Sequence, residues 1–180
     1  MIKYIGGKIM IIKLGGILLV MISTTLLGFG FAECMSSRER ELKNLADAIG
    51  CMINELEYSL EPVKILFKKV MLNAKGFSYE LFEEIEKYIN DGKTVSEAWE
   101  FAIRKKATVM CLNKNDCETL VNCSDAFCAY ELEQQKALLK GLQSRIFVLA
   151  DDAGEFKRKN AKLVKMLGVY GGVFICAVLF

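Results

Sequence analysis

Two apolar runs without any charged side chain lie near the two ends of the chain. The first covers residues 14–32, which is 19 residues, and the second covers residues 166–180, which is 15 residues. A helix of about 20 apolar residues crosses the ~30 Å hydrocarbon layer of a bilayer. The first run therefore predicts a transmembrane helix. The second predicts another, provided that Leu163 and Val164 join it and the flanking lysines reach the membrane surface.

The apolar positions between these runs have the spacing of helices. From residue 42 onward they recur in steps of three and four, which is the pattern of a helix packed on a partner. Polar residues mostly take the other faces, and Glu39 with Lys43 forms a favourable i,i+4 pair. The predicted packed face of this first helix consists of Leu42, Leu45, Ile49, Met52, Leu56 and Leu60.

Turn and cap residues predict where the next helices begin and end. Pro62 ends or kinks the first helix and can open the second, because proline lacks the backbone N–H that a helix interior requires. Asn73 to Gly76 is predicted as a turn, after which Ser78 is the expected N-cap of a third helix. The apolar stripes predicted for the second and third helices are Ile65, Leu66, Val70 and Met71, then Phe82, Ile85 and Ile89.

Three further helices complete the predicted bundle. Thr94 and Glu97 have the spacing of a capping box, and Asn113 to Asp116 supplies another start signal. A last long helix is expected to run from about Ser124 into the second apolar run. The residues predicted to be buried in these helices are Val95, Ala98, Trp99, Ala102 and Ile103, then Leu120 and Val121, then Leu138, Leu142, Ile146, Leu149, Ala153 and Phe156.

No strand-like alternation of useful length remains, so the predicted fold class is all-α: a helical bundle flanked by an N-terminal and a C-terminal transmembrane helix. The expected boundaries are a tail at 1–13 with an alternative start at Met10, a transmembrane helix at 14–32, the bundle at 33–165 and a transmembrane helix at 166–180. A cleaved signal peptide is the alternative for the N-terminus. It is disfavoured because 19 uncharged residues exceed the usual signal core of about 7–15.

Charge narrows the classes of partner. The chain has 24 basic and 22 acidic residues. Without Lys3, Lys8 and Lys13 of the tail, 21 basic residues remain. This near-neutral middle lacks the basic footprint of a nucleic-acid-binding domain.

Basic residues follow the first span and crowd the start of the second at 157–165, which favours a cytoplasmic bundle, whereas the tail lysines oppose that orientation.

The residue types that most catalytic and metal sites require are missing. Histidine is absent, which removes the commonest general base and the commonest metal ligand. No phosphate-binding loop of the Gly-x-x-x-x-Gly-Lys type occurs. Gly168 to Gly172 lies inside the second run, where its small residues are expected to allow close helix packing in lipid. We therefore predict a protein that is not an enzyme and has no cofactor, no bound metal and no small-molecule substrate.

Seven cysteines carry the main alternative. Cys111, Cys117, Cys123 and Cys128 form a loose cluster with five, five and four residues between them. This spacing matches neither paired zinc ligands nor the i,i+3 or i,i+4 positions of a helical site. A small membrane redox or metal-binding protein that uses the Cys111–Cys128 cluster is the alternative function. The prediction for all seven is that they are small buried hydrophobic residues in a reducing compartment.

Short motifs follow one another along the chain from Met10 onward. They are Thr24–Phe29, then Leu45, Ala48, Ile49, Glu55, Leu56, Tyr58, Pro62 and Val63, then Ser96–Trp99, Gln135, Lys159–Lys162 and Leu167–Gly172. In their order and spacing these motifs resemble the family of stage III sporulation protein AB. Ile53, Glu61 and Glu131 depart from the family's pattern.

The resemblance implies a membrane protein of endospore-forming bacteria that is made in the mother cell. It would belong to the channel apparatus that joins the mother cell to the engulfed forespore. The family is similar in turn to the inner-membrane platform protein of type II secretion and type IV pilus systems, which binds a secretion ATPase. The implied partners are other stage III sporulation channel proteins, a cytoplasmic secretion-type ATPase and the lipid bilayer, without nucleic acid.

The implied location is the mother-cell membrane around the forespore, with the central domain in the cytoplasm. The expected structural or interface residues are Glu55, Tyr58, Pro62 and Gln135. A simpler role for Tyr58 and Pro62, in which they fix a turn by packing, is equally open. A third hypothesis is a membrane-anchored receptor whose domain lies outside the cytoplasm.

Overall fold

A computed structural model describes residues 2–58, 63–128 and 131–179 of the protein. These residues form helices and connecting turns without a strand, so the predicted all-α class is confirmed. The helices are α1 (Ile2–Tyr58), α2 (Val63–Asn73), α3 (Phe77–Asn90), α4 (Val95–Lys106), α5 (Lys114–Val121), a 3-10 helix (Ser124–Phe127) and α6 (Leu132–Leu179).

The chain divides into two compact units. Met1–Ser36 and Glu155–Phe180 form the first unit, which we call the terminal hairpin, and Ser37–Gly154 forms the second, which we call the bundle. Both α1 and α6 contribute residues to both units. These two helices are also long and apolar enough to cross a membrane, judged by length and composition alone.

Small residues let α1 and α6 approach closely within the terminal hairpin. A Cβ atom added to Gly28 would lie 2.9 Å from the Cα of Gly168, and one added to Gly168 would lie 2.9 Å from the Cα of Gly28. One turn further along, Gly172 packs on Thr24. Glycine at these positions sets a short helix spacing, which agrees with the close packing predicted for the second apolar run.

The two helices of the hairpin run antiparallel. The Sγ of Cys176 lies 3.7 Å from the carbonyl oxygen of Ile17. Further along the pair, the ammonium of Lys165 lies 5.4 Å from the ring centre of Phe29. The charge-free stretches of α1 and α6 therefore lie side by side.

Large apolar side chains fill the interior of the bundle. The predicted packed residues of α1 are buried, except Leu60, which lies outside the described residues. Trp99 of α4 is fully buried, as predicted, and its indole N–H donates to the carbonyl of Leu120 at 2.8 Å. Its ring centre lies 4.7 Å from that of Phe127.

The predicted apolar stripes of α3, α4 and α5 are buried, except that Val95 is only partly covered. The prediction for α6 is wrong at two positions, because Leu138 and Phe156 are exposed. Leu139 is fully buried instead. One residue along a helix changes the direction of a side chain by about 100°, so a shift of one position turns a buried residue outward.

The prediction for α2 is also wrong at its first position. Ile65 is 46% exposed, whereas Leu66, Phe67 and Val70 are buried. The ring of Phe67 contacts that of Phe82 with centres 5.8 Å apart, and this aromatic contact fixes which face of α2 turns inward. The outer face of α2 therefore keeps an apolar residue in solvent.

The predicted N-cap of α3 is wrong. The helix begins at Phe77 with Gly76 in the capping position, and Ser78 is buried in the first turn. The carboxylate of Glu41 accepts the backbone N–H of Phe77 at 2.8 Å. A side chain from α1 therefore supplies the cap that Ser78 was expected to supply. The capping boxes predicted at Thr94 and at Asn113 are both present.

The predicted start of the last helix is wrong as well. Ser124–Phe127 forms a 3-10 helix, and α6 begins at Leu132. Phe127 is buried and packs on the rings of both Phe67 and Trp99, with centres 5.3 Å and 4.7 Å apart. Burial of this ring directs the segment toward the core. A straight continuation of α6 would instead carry the segment past the core.

Candidate interaction site

The end of α1 holds two of the four predicted site residues. The Oε2 of Glu55 lies 3.6 Å from the Nζ of Lys69 on α2. Tyr58 is the last residue of α1 and is 90% exposed. Pro62 lies outside the described residues. The ion pair is a surface contact between the end of α1 and α2, and the role of these residues at an interface stays a prediction.

The outward face of α2 also carries exposed side chains. Ile65 and Leu72 are 46% and 75% exposed, and Lys68 between them is exposed as well. Steps of three and four residues place the three side chains on one face of the helix. We call Tyr58, Ile65, Lys68 and Leu72 the α1–α2 corner. Ile65 and Leu72 therefore leave apolar side chains in solvent on the outward face of α2.

A polar cleft of 220 Å³ lies between α1 and α2. Its lining includes Asn44, Asp47 and the exposed Cys51 from α1, and Asn73 and Lys75 from the end of α2 and the turn after it. Amide, carboxylate and ammonium groups in one cleft provide both donors and acceptors of hydrogen bonds. The cleft therefore presents both donors and acceptors of hydrogen bonds.

The fourth predicted residue, Gln135, has a different setting. Its side chain is 6% exposed, and its Nε2 donates to the carbonyl oxygen of Phe127 at 3.4 Å. This contact joins the first turn of α6 to the 3-10 helix. Gln135 therefore makes a contact inside the bundle rather than at the α1–α2 corner.

Sequence reasoning missed a buried carboxylate on α1. Glu41 is 1% exposed, and besides the cap of α3 it accepts hydrogen bonds from Arg40 at 3.1 Å and Asn44 at 3.3 Å. A Cβ atom added to Gly76 would contact this carboxylate. The glycine therefore leaves the space into which Glu41 reaches. The only local signal is that Glu41 directly precedes the buried face of α1.

A second buried charge joins α1 to α5. The guanidinium of Arg38 forms a two-point contact with Asp116, with Nε–Oδ2 at 2.6 Å and Nη2–Oδ1 at 2.8 Å. The Asp116 side chain is fully buried and that of Arg38 is 14% exposed. Asp116 also caps α5, since its Oδ2 accepts the backbone N–H of Asn113 at 3.0 Å. One carboxylate therefore fixes both the start of α5 and its position on α1.

The surface of α3 and α4 carries a mixed aromatic and charged cluster. Lys105 donates to Glu84 at 2.6 Å. This hydrogen bond lowers the pKa of Glu84 and raises the pKa of Lys105 from their ordinary values, so the two shifts agree in sign. Nearby, the rings of Tyr88 and Phe101 lie 5.7 Å apart, and the ammonium of Lys93 lies 4.7 Å from the Phe101 ring centre. These contacts join the two helices at the surface.

The prediction that the cysteines are buried is wrong. Cys51 and Cys128 are exposed and the other five are partly exposed. Burial and the neighbouring carboxylate of Asp116 raise the pKa of Cys117 above its ordinary value, which disfavours the reactive thiolate. Within the described ranges, no three metal-binding side chains come together in a group that could hold an ion.

These contacts share one chemical character. The buried charges cap helices and join them to one another, and the exposed apolar residues face outward from fixed helices. The arrangement can present a rigid surface to a partner, and it fits a helical scaffold protein with two helices of membrane-spanning length.

The chain belongs to the family of stage III sporulation protein AB, since the sequence model of that family matches residues 13–180. The resemblance found in the sequence is thereby confirmed. The family is described by a stage of sporulation and not by an enzymatic activity.

The chain is similar to a known protein of the family and to a solved structure. Stage III sporulation protein AB of Bacillus subtilis (strain 168) is 22% identical over 169 residues, which cover 93% of this chain and 99% of that protein. A solved structure of stage III sporulation protein AB matches with a TM-score of 0.61 and 18% identity, covering 68% of this chain and 98% of that one. The second match shows a shared helical fold.

Proposed function

We propose that the protein is a membrane-anchored, non-catalytic component of the channel apparatus between mother cell and forespore. In this proposal the terminal hairpin holds the protein in the mother-cell membrane around the forespore, and the bundle lies in the cytoplasm. The bundle acts as a platform that binds a secretion-type ATPase and other stage III channel proteins. Membership of the sporulation family supports the cellular process.

The observation that carries the platform role is the α1–α2 corner. Its apolar side chains are held on the surface by helices that the core fixes on their inner faces, since Leu66, Phe67 and Val70 of α2 are all buried. A partner that covers Tyr58 and Leu72 removes apolar surface from water without rearranging the bundle. This is the behaviour expected of a preformed protein-binding surface.

Photo-crosslinking in sporulating cells tests the partners. A photoreactive residue is placed at Leu72 of the full chain, and a control residue is placed at Val148 of α6, which is 58% exposed. We expect the Leu72 probe to capture the ATPase or a stage III channel protein, identified by mass spectrometry, at a higher yield than the Val148 probe. Capture of metabolic enzymes alone at Leu72 would contradict the platform role.

A matched pair of substitutions gives the same test without a probe. Leu72→Asp and Val148→Asp both place a carboxylate on an exposed apolar position of the bundle. We expect Leu72→Asp to reduce spore formation and partner recovery, and Val148→Asp to leave both close to wild type. Equal effects of the two substitutions, at equal amounts of folded protein, would count against the α1–α2 corner as the docking surface.

Thiol labelling tests the orientation. Cys51 and Cys128 are the two exposed cysteines of the bundle. A membrane-impermeant maleimide should label them only after the cells are permeabilised if the bundle lies in the cytoplasm. Labelling in intact cells supports the receptor hypothesis, in which the bundle lies outside.

A further inference from the structure

A row of basic side chains on α6 leads to an apolar groove in the terminal hairpin. Arg158, Lys162 and Lys165 are all exposed. They are separated by four and three residues, so they lie along one face of the helix. We call these three residues the basic row.

The groove begins at the last lysine of this row. It has a volume of 220 Å³ and is lined by Phe29, Lys165, Met166, Val169 and Tyr170. The ammonium of Lys165 lies 5.4 Å from the centre of the Phe29 ring. A positive charge is therefore held at the edge of an otherwise apolar surface, and both helices of the hairpin contribute to that surface.

The position of the groove matches the edge of the charge-free part of the hairpin. Met166 is the first residue of the charge-free run on α6, and Phe29 lies near the end of the run on α1. From residue 156 to residue 180 the chain has no acidic residue. On α1, Glu33 is the carboxylate that follows the charge-free run. The basic row and the groove together place cations next to an apolar surface, which complements the charged head and apolar tail of an amphiphile.

We propose that the basic row and the groove bind an anionic phospholipid. The headgroup phosphate contacts Lys162 and Lys165, and the upper part of one acyl chain lies against Phe29, Val169 and Tyr170. The inference depends on the proposed function in one respect, namely that the hairpin crosses a bilayer. Each lysine near an anionic membrane surface strengthens attraction by roughly fivefold. An apolar groove next to those lysines adds a fixed location for the lipid.

The experiment compares an anionic with a zwitterionic lipid on the full chain. The protein is reconstituted in vesicles of equal amounts of phosphatidylglycerol and phosphatidylcholine, extracted in mild detergent, and analysed by native mass spectrometry for retained lipid. We expect the wild type to retain phosphatidylglycerol over phosphatidylcholine by about tenfold. The double substitution Lys162→Gln with Lys165→Gln should reduce this preference to about twofold or less.

Two variants provide controls. Lys159→Gln removes a positive charge from the same helix, at a lysine whose Nζ lies 3.0 Å from the Glu155 carboxylate, and it should keep the preference. Lys162→Arg with Lys165→Arg keeps both charges and should also keep it. Circular dichroism checks that all variants have the helix content of the wild type.

The outcomes separate this inference from the proposed function. A wild-type protein that is incorporated into vesicles but shows no preference for phosphatidylglycerol would overturn the lipid site and leave the membrane anchor intact. An equal loss in Lys159→Gln would also overturn it, because charge alone would then explain the binding. A chain that alkaline carbonate releases from phosphatidylcholine vesicles would overturn both proposals.

Discussion

The bundle and the terminal hairpin share α1 and α6, yet different residues hold the helices together in each unit. In the bundle, large side chains such as Trp99 and Phe82 are fully buried, and charged groups such as Asp116 are buried with partners. In the hairpin, large side chains such as Leu26 and Phe174 are 67% and 70% exposed. There, Gly28 and Gly168 bring the two helix backbones into close contact.

The difference matches the two environments of the proposed function, which are water around the bundle and lipid around the hairpin. In water, burial of apolar surface drives association and places the large side chains inside. In lipid, apolar side chains gain nothing by leaving the solvent, so close packing of small residues holds the helices together. The same two helices are therefore packed by two different rules along their length, by large buried side chains in the bundle and by small residues in the hairpin. Substitutions that disturb one rule should leave the other unit unchanged.

The largest expected effect comes from the buried ion pair of the bundle. Asp116→Ala leaves the guanidinium of Arg38 without its two-point partner and removes the half of the α5 capping box in which the Asp116 carboxylate accepts the backbone N–H of Asn113. We expect the free energy of unfolding to fall by about 3–5 kcal/mol, because a mostly buried charge loses its counter-charge. Chemical denaturation of the full chain in detergent, followed by circular dichroism, measures the change.

An exposed ion pair provides the control. Arg104 and Glu100 on α4 are 57% and 43% exposed, so Arg104→Ala should cost less than about 1 kcal/mol. The double substitution of Arg38 by Met and Asp116 by Leu should recover much of the stability lost in Asp116→Ala. Equally small losses of unfolding free energy in Asp116→Ala and Arg104→Ala would show that the Arg38–Asp116 pair does not stabilise the bundle as a buried ion pair.

The next largest effect concerns the glycine contact of the hairpin. Gly168→Val places side-chain atoms against the backbone of Gly28, where even a Cβ atom would come within 2.9 Å. We expect the two helices to separate. Cys176 lies beside Ile17, so an Ile17→Cys variant without the other six cysteines reports the contact by disulfide cross-linking. The yield should fall by roughly tenfold, since overpacking costs about 1–3 kcal/mol.

Gly171→Val is the matched control on the same helix. A Cβ atom at Gly171 has no neighbour within 4 Å, so this substitution should leave the cross-linking yield close to that of the parent. Neither substitution should change the unfolding of the bundle. A drop in bundle stability in Gly168→Val would contradict the separation of the two packing rules.

The sequence predicted the features that depend on local periodicity. The packed face of α1, the buried Trp99 and the capping boxes at Thr94 and Asn113 all follow from spacing along one helix. The two membrane-length helices follow from the lack of charge in two runs. Each of these features is set by residues within a few turns of one another, so a single segment carries the information.

The features that the sequence did not predict depend on contacts between distant segments. Glu41 caps α3 from 36 residues away, and Arg38 reaches Asp116 from 78 residues away. The burial of Phe127, which replaces the expected start of α6 with a 3-10 helix, depends on rings from α2 and α4. The exposed face of α2 could not be separated from its buried face, because both carry apolar residues at helical spacing.

Two glycines of the bundle with positive φ should differ in how much stability is lost when alanine replaces them. Gly76 has φ +59° and ψ −142°, a region that almost only glycine adopts, and its missing side chain leaves room for the Glu41 carboxylate. Gly92 has φ +89° and open space around it. We expect Gly76→Ala to cost about 2–3 kcal/mol and Gly92→Ala about 1 kcal/mol, measured by chemical denaturation. Equal costs would mean that Glu41 moves aside without loss.

The smallest expected effect is a pH dependence at the capping box of α4. The backbone N–H of Thr94 donates to the Glu97 carboxylate at 2.9 Å and its hydroxyl donates at 2.8 Å, and these two bonds, the backbone one first, lower the pKa of Glu97 from its ordinary value. A carboxyl whose pKa is lower in the folded than in the unfolded chain stabilises the fold above its unfolded pKa. This stabilisation is lost as pH falls through the folded pKa.

Glu97→Gln should therefore make the unfolding free energy of the bundle less dependent on pH on the acid side of neutrality. Thr94→Ala keeps the backbone donor and removes the hydroxyl, so it should remove only part of that dependence. Denaturation curves between pH 7 and about pH 3 compare the three proteins, and the range covers the ordinary pKa of a glutamate. The hairpin contact, followed by the Cys176 cross-link, should not respond to either substitution. Identical pH profiles for all three proteins would show that the capping box contributes no proton-linked stability, and the bundle would then owe its pH dependence to its other carboxylates.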